Sequence, residues 1–361
     1  MDITFLIADQ DKPHEGVVRP FFNFAKGLKS KYEISFLLMN CSDVLSDFFE
    51  KSGFEVTVCR SKDSVIEEAK RINPKFCFAD DDLKRLRLLA DVKRAIRVKS
   101  VSYVQVLYGS HAIANCFDMS FLTFRQRALY GFLRYVPFFF FSERYAKLLA
   151  ACDLVVANSK ITASLLHVLY NVEVSSIVYP PIDEEIFKPT IGKERNEITV
   201  YLGSHLGDTR KDFVERIIRV AQVDGFLVNL FGNAKMAKEL VSKGENEVSY
   251  HPKLSDIELA RLYSKSKLTV CPQKWEQFGF VPVESMACGT PVVAFNCMGF
   301  QETVDTRTGW LANNEAEFLE ILHNALRTEE MPFQDLRNYA IRKFSISASG
   351  KDLQNLLNRF V

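Results

Sequence analysis

Two doubly wound α/β domains, each a parallel sheet with helices on both faces, are what this chain of 361 residues predicts. Three observations carry the prediction. Short apolar runs alternate with amphipathic stretches of about a dozen residues from end to end, which is the pattern of buried parallel strands and crossover helices. The alternation breaks once, at YPPIDEEIFKPTIGKERNE, where three prolines and a run of charges replace it. A hydrophobic content of 47% against 25% charge is enough for two cores of ordinary size.

The elements follow in order. In the first half the expected strands are ITFLIA, EISFLLM, EVTV, KFCFAD, VSYVQVL, DLVVANS and SSIVYP; in the second they are ITVYLG, FLVNLFG, EVSYH, LTVCP and PVVAF. One helix start is strongly marked, because Ser255 and Glu258 form a capping box and Leu254 can staple onto Leu259. The first domain is expected over residues 1–182 and the second over 183–343, with 344–361 a C-terminal helix packing back toward the first. No internal repeat or low-complexity tract is present, so the halves are alike in architecture only. Two such domains facing a central cleft would bring their strand-end loops together there.

Composition narrows the function. A net charge of +1 gives no support to a general nucleic-acid binder. Eight cysteines lie without a CxxC pair, mostly in apolar runs such as KFCFAD and LTVCP, the usage of a reducing compartment. MDITFLIADQDK has too short an apolar run for a signal peptide, and the longest uncharged stretch, Ser100 to Phe117, carries too many polar groups for a membrane span. These readings place the chain in the cytoplasm.

The stretch WEQFGFVPVESMACGTPVVAFN, from Trp275 to Asn296, is the densest in chemistry. Pro282 suits the first turn of a helix, Gly289 its C-terminal cap, and PVVAF a core strand. The backbone N–H groups of Gly279, Phe280, Val281 and Val283, beginning beside a glycine, are then placed to hold a phosphate, with the Phe278 backbone just before them. Glu276 and Glu284 flank that site, and Glu284 is expected on the helix's first turn.

EQFGFVPVESMACGTPVVAFNCMGFQETV closely resembles the signature of the large retaining GT-B glycosyltransferase family, family 4 (glycosyl transferases group 1). Supporting fragments occur in the expected order: HEGVVRPFFNFAKGL, DLVVANS, YPPIDEEIF, LSDIELARLYSKSKLTVCP and TGWLAN. The resemblance implies a GT-B fold and a nucleotide-sugar donor, a UDP- or GDP-sugar, with Glu284 gripping the ribose and Glu276 the donor sugar. A carboxylate suits both, since charge-assisted hydrogen bonds to hydroxyls are stronger than neutral ones. Departure of the diphosphate requires a fixed cation. In YLGSHLGDTRKDFVERII, Lys211 and Arg210 match the basic end of the family's phosphate loop. The sequence departs from the family just after the strand, where Gly203, Ser204 and His205 stand in place of an arginine following the glycine. Gly16, in the loop QDKPHEGVV, matches small residues the family places beside the donor phosphate, and His111, in LYGSHAI, resembles a position contacting donor sugar or acceptor. The catalytic set is therefore Glu276, Lys211 and His111.

No carboxylate pair reads as a divalent-metal clamp of the DxD type, and His14, His167, His251 and His323 lack ligand spacing. The expectation is metal-independent transfer with retention and no cofactor beyond the donor; by the resemblance, the leaving phosphate takes the acceptor's proton. Residues 121–149 mix aromatics with five basic residues and a single acid, Glu143. They suit either two helices packed on the first sheet or an anionic membrane surface, with a glycan or lipid-linked acceptor. The rival readings are a catalytically silent GT-B subunit that binds nucleotide sugar and another GT-B enzyme, such as an epimerase or a phosphorylase-like enzyme.

Overall fold

The computed structural model describes residues 1–12, 16–107, 142–190, 195–203, 209–242, 247–329 and 331–360. They divide into two compact units, Met1–Pro181 with Ile346–Val361, and Ile182–Ser345.

The first unit is a parallel seven-stranded sheet made of β1 (Ile3–Ala8), β2 (Ile34–Met39), β3 (Glu55–Cys59), β4 (Phe76–Asp80), β5 (Lys99–Val104), β6 (Leu154–Ala157) and β7 (Ser176–Ile177). The order is 3-2-1-4-5-6-7, so the winding reverses between β1 and β4. Between the strands run α1 (Val18–Leu28), α2 (Asp43–Lys51), α3 (Lys62–Ile72), α4 (Leu83–Ala95) and α5 (Lys160–Tyr170). The core on the α1 side is aromatic: the Phe5 ring lies 5.1, 5.3 and 5.0 Å from the rings of Phe21, Phe36 and Phe78. Rings at these separations contribute beyond their buried area. The C-terminal helix, Ile346–Leu357, adds Leu353, Leu356 and Leu357 to the same core.

The second unit is a parallel six-stranded sheet of β8 (Glu197–Tyr201), β9 (Leu227–Phe231), β10 (Val248–Tyr250), β11 (Ser266–Cys271), β12 (Val292–Phe295) and β13 (Gly309–Ala312), in the order 10-9-8-11-12-13. Its helices are α6 (Lys211–Val223), α7 (Ala234–Val241), α8 (Asp256–Lys265), α9 (Phe280–Ala287), α10 (Phe300–Thr303), α11 (Glu315–Arg327) and α12 (Phe333–Phe344). The capping box of Ser255 and Glu258 is formed at the start of α8. β13, within TGWLAN, was not among the expected strands; four residues opening on glycine give too short an apolar run to read. VSYVQVL ends as a strand at Val104, because Gln105 and Val106 turn their N–H groups onto Asp81 instead of continuing the ladder.

Buried hydroxyls fix α9 in place. Ser285 Oγ donates to the Thr290 carbonyl at 2.9 Å and lies 2.8 Å from Thr269 Oγ1 on β11, while Thr290 Oγ1 donates to the Tyr263 carbonyl at 2.7 Å. At the other end of the helix, Arg337 donates to the carbonyls of Ala287, Phe187 and Glu184, placing a cation where the helix dipole is negative.

Of the aromatic and basic stretch, 121–141 lie outside the described residues. Residues 142–150 are helical, with Tyr145 and Leu149 buried alongside Val104, Val155 and Leu166. No helix among the described residues is long and apolar enough to cross a membrane. The seven described cysteines are free thiols; Cys59, Cys77, Cys271 and Cys288 are buried.

Candidate functional site

In the second unit the winding reverses between β8 and β11, so the loops leaving these neighbouring strands flank the switch point where ligands bind in open α/β sheets. The loop after β11 carries the paired glutamates. Gly279 has φ of 95°, a left-handed backbone that favours glycine, and is the N-cap of α9, to which it brings no side-chain cap. The turn is held from beneath: Gly299 N–H donates to the Glu276 carbonyl at 2.8 Å, and a Cβ on Gly299 would lie 2.6 Å from the Phe278 carbonyl oxygen. Any side chain at 299 would therefore displace the turn.

The helix begins two residues before Pro282, because Gly279 supplies the left-handed turn that launches it. Glu284 is consequently its fifth residue, on the second turn rather than the first. There it is 1% exposed and accepts a hydrogen bond from Tyr263 Oη at 3.2 Å. Burial, reinforced by the Glu284 charge, holds the Tyr263 hydroxyl well above its ordinary range, so it remains a proton donor. Phe278 is buried, its ring edge-on to Phe280 and Phe344. Glu276, Phe280 and Val281 are half-buried.

On the β8 side Gly203 has φ of 79°, while Ser204 and His205 lie outside the described residues. Arg210 is the N-cap of α6 and Lys211 its first residue. Basic groups are unfavourable at that end of a helix, and both are matched by acids: Arg210 by Asp212 and, at 3.0 Å, by Glu315, and Lys211 by Glu239 at 2.7 Å. In the first unit Gly16 is exposed just before α1, and a Cβ there would meet nothing within 4 Å. Nothing in the described protein itself demands a glycine at that point. His111 and His14 lie outside the described residues.

Side chains of Ser42, Ser61, Asp82, Ser159, Asn233, Ser255 and Asn314 cap α2, α3, α4, α5, α7, α8 and α11. By contrast α1, α6 and α9 begin at Val17, Arg210 and Gly279 without a side-chain cap, as do the short α10 and, at Pro332, α12. The first three follow the loops of Gly16, Gly203 and Glu276.

Two features were not singled out in the sequence. Asp80, Asp81 and Asp82 do have a DxD spacing, and each carboxylate has a structural partner. Arg85 forks onto Asp80 and donates to the Ala8 carbonyl, and Asp82 caps α4. Asp81 accepts from the N–H groups of Gln105 and Val106 and from Tyr145 Oη at 2.9 Å. Burial, with the Asp80 charge beside it, pushes the Asp81 carboxyl up to about 7 against those donors. The second feature is Gln273, at 2% exposure just past β11, with its Oε1 unpartnered. Among the described residues no three His, Cys, Asp or Glu side chains gather as a metal site. His167, His251 and His323 pair with Glu173, Asn229 and Asp224.

Comparison with known proteins agrees with this architecture. The chain is similar in fold to a sucrose-phosphate synthase of Thermosynechococcus elongatus, with a TM-score of 0.75 at 14% identity, covering 100% of this chain and 99% of that one. It is likewise similar to Anabaena Alr3699/HepE in complex with UDP, at 0.72 and 15%, covering 99% and 100%. The same Anabaena protein is known with UDP-glucose. In sequence, 201 residues are 28% identical to a D-inositol 3-phosphate glycosyltransferase of Arthrobacter sp. (strain FB24), 47% of each chain. Matches to the curated relatives span less than half of those proteins' length. The fold is GT-B, and residues 198–328, which hold α6, α9 and both glutamates, match the family Glycosyl transferases group 1.

Proposed function

We propose that this chain is a retaining glycosyltransferase that moves a sugar from a nucleoside-diphosphate donor to an acceptor hydroxyl. The observation that carries the reading is the uncapped start of α9 at Gly279, set between Glu276 and Glu284 in the part of the chain that matches the family. A diphosphate is a strong match for such a helix start, and the carboxylates match the hydroxyls at the donor's two ends. In this reading the C1–O bond to the diphosphate breaks while the acceptor oxygen bonds C1 from the same face, and the acceptor's proton passes to the leaving diphosphate. Lys211 and Arg210 balance the charge that develops there. Glu276 orients the sugar, Glu284 holds the ribose, and the backbones of Gly203, Ser204, Phe278, Gly279, Phe280 and Val281 line the diphosphate. Gly16 and His111 would serve from the 1–182 domain, which holds the acceptor, while 183–343 holds the donor. The donor is a UDP- or GDP-sugar and the chemistry needs no metal.

The acceptor in this proposal is a glycan or lipid-linked precursor, met at an anionic membrane surface through residues 121–149. Their aromatic and basic composition supports that reading. Co-sedimentation with anionic vesicles, compared with an Arg125→Glu, Arg127→Glu, Arg134→Glu variant, tests it. Failure of the parent to pellet at low salt removes the membrane.

The central experiment is a thermal-shift panel of UDP, GDP and their sugars, followed by assay of nucleoside diphosphate release with and without acceptor and by NMR of the product anomer. Release that depends on acceptor, with the donor's anomeric configuration kept and EDTA without effect, is the expected result. Binding without turnover would instead favour a silent nucleotide-sugar-binding subunit, a reading supported by the departure at Gly203, Ser204 and His205.

A further inference from the structure

We infer that Gln273 is a donor-selectivity residue, its buried amide carbonyl accepting a hydrogen bond from a hydroxyl of the transferred sugar. The inference rests on the nucleotide-sugar reading above and deepens it. β8 and β11 are neighbours at the switch point, and Gln273 stands two residues past the end of β11. Its Nε2 donates to the carbonyl of Tyr201, the last residue of β8. That bond fixes the amide's orientation, because the flipped form would press one carbonyl against another. Oε1 is thus the atom left over, in a side chain 2% exposed and without a partner.

Such an atom needs a reason. An unsatisfied buried amide oxygen is destabilising, native folds keep few of them, and a methionine would fill the same volume without the defect. The neighbouring connection from β8 to α6 supplies a second case: Thr209, 5% exposed and immediately before Arg210, has an unpartnered Oγ1. Two unsatisfied polar side chains therefore attend the β8 exit, one beside the strand's last residue and the other where α6 starts.

The chemistry selects the partner. A carbonyl oxygen takes a hydrogen from O–H or N–H and is repelled by the acceptor-only oxygens of an ionised diphosphate. Gln273 also lies three residues before Glu276, the residue assigned to the donor sugar. A sugar hydroxyl is the group that satisfies both constraints. A site built to hydrogen-bond a hydroxyl rejects the analogue lacking it far more strongly than an apolar pocket discriminates size.

The test is a cycle between protein and ligand. Calorimetry would measure the affinities of UDP, UDP-glucose, UDP-galactose and the 2-, 3-, 4- and 6-deoxy forms of UDP-glucose for the parent, for Gln273→Met and for Gln273→Asn, with the GDP and GDP-mannose series in parallel. Gln273→Asn keeps the amide but shortens it, and serves should Gln273→Met fail to fold. One deoxy analogue is expected to bind the parent about tenfold more weakly, the usual effect of one lost hydrogen bond. That penalty should fall below about twofold in either variant, with affinity for the bare nucleoside diphosphate unchanged. A deoxy penalty that persists in the variants, or equal weakening of nucleotide and nucleotide sugar, overturns the selectivity role and makes Gln273 structural. A parent that binds nucleoside diphosphate but gains nothing from any sugar also overturns it. Binding of neither UDP nor GDP by the parent sinks the nucleotide-sugar reading itself, a failure distinct from the others.

Discussion

At the C-terminal edge of the first sheet three adjacent carboxylates are consumed by the fold: Asp80 by Arg85, Asp81 by two backbone N–H groups and Tyr145, Asp82 by the start of α4. At the same edge of the second sheet α6 and α9 begin without side-chain caps, and Gln273 and Thr209 each keep an unpartnered buried atom. Both edges carry charged side chains, so charge alone does not mark a ligand site. What distinguishes the second edge is that two unpartnered buried atoms stand beside the start of α6 and the loop to α9, whereas among the described residues of the first edge the one such atom is Asn158 Oδ1, just past β6.

The sharpest way to test the contrast is to remove a charge from the open edge. Lys211→Ala should lower turnover roughly 100-fold or more, as expected for loss of a group that stabilises developing charge, and should leave thermal stability nearly unchanged. Steady-state kinetics with saturating donor would show it. Full activity would move the cation to Arg210.

Glu284 comes next in size. Glu284→Ala should weaken nucleoside diphosphate binding by about 1–3 kcal/mol, measured by calorimetry. Tyr263→Phe is the control, because it removes the hydroxyl donor at 3.2 Å while leaving the carboxylate in place. Equal losses in the two variants would mean that the pair acts through packing, and would close what the comparison treats as open.

The closed edge has its own test, in pH. Asp81 titrates near 7 in the folded chain, above its ordinary value, so the native state holds a proton that the unfolded chain releases near 4. Its contribution to stability is complete below about pH 4, is lost as pH rises through about 7, and stays lost above. Urea unfolding stability of Asp81→Asn, which cannot ionise, should therefore fall less between pH 5 and pH 8 than that of the parent, by about 2–3 kcal/mol. Identical pH slopes would show that the two N–H groups and the Tyr145 hydroxyl hold the carboxylate ionised throughout.

How much of this was legible in the sequence depends on the range of the interaction. The two parallel sheets were, because short apolar or alternating runs set between helical stretches mark their strands, and twelve of the thirteen lie in the runs expected. GWLA escaped because its four residues supply little local signal and it is specified by pairing with β12. The turn of Glu276 to Gly279 and the helix start beside it were legible through glycine and proline chemistry, yet Glu284 was expected on the first turn and is the fifth residue of α9, on the second. Asp81 and Gln273 were invisible for a different reason. Their meaning lies in partners found 64 and 72 positions away, Tyr145 and the Tyr201 carbonyl. No local pattern encodes such a pairing, so neither residue stood out from an ordinary strand end.

The smallest expected effect bears on Lys211, which the comparison places at the open edge although its Nζ lies 2.7 Å from Glu239. The side chains of the pair are 36% and 46% exposed, and a pair so wetted contributes at most about 1 kcal/mol to stability. A doubly charged diphosphate at the start of α6 would compete for the same ammonium group with more charge, aided by the helix dipole. Glu239→Gln should then tighten nucleoside diphosphate binding by up to about fivefold, because the ligand no longer has to displace a carboxylate. The gain should shrink as salt is raised, since both the pair and the ligand contact are screened. Calorimetry at low and moderate ionic strength would measure it. An affinity that falls instead would mean that Glu239 positions Lys211 for the ligand, and an affinity that stays level at all salt concentrations would mean that Lys211 does not meet the diphosphate.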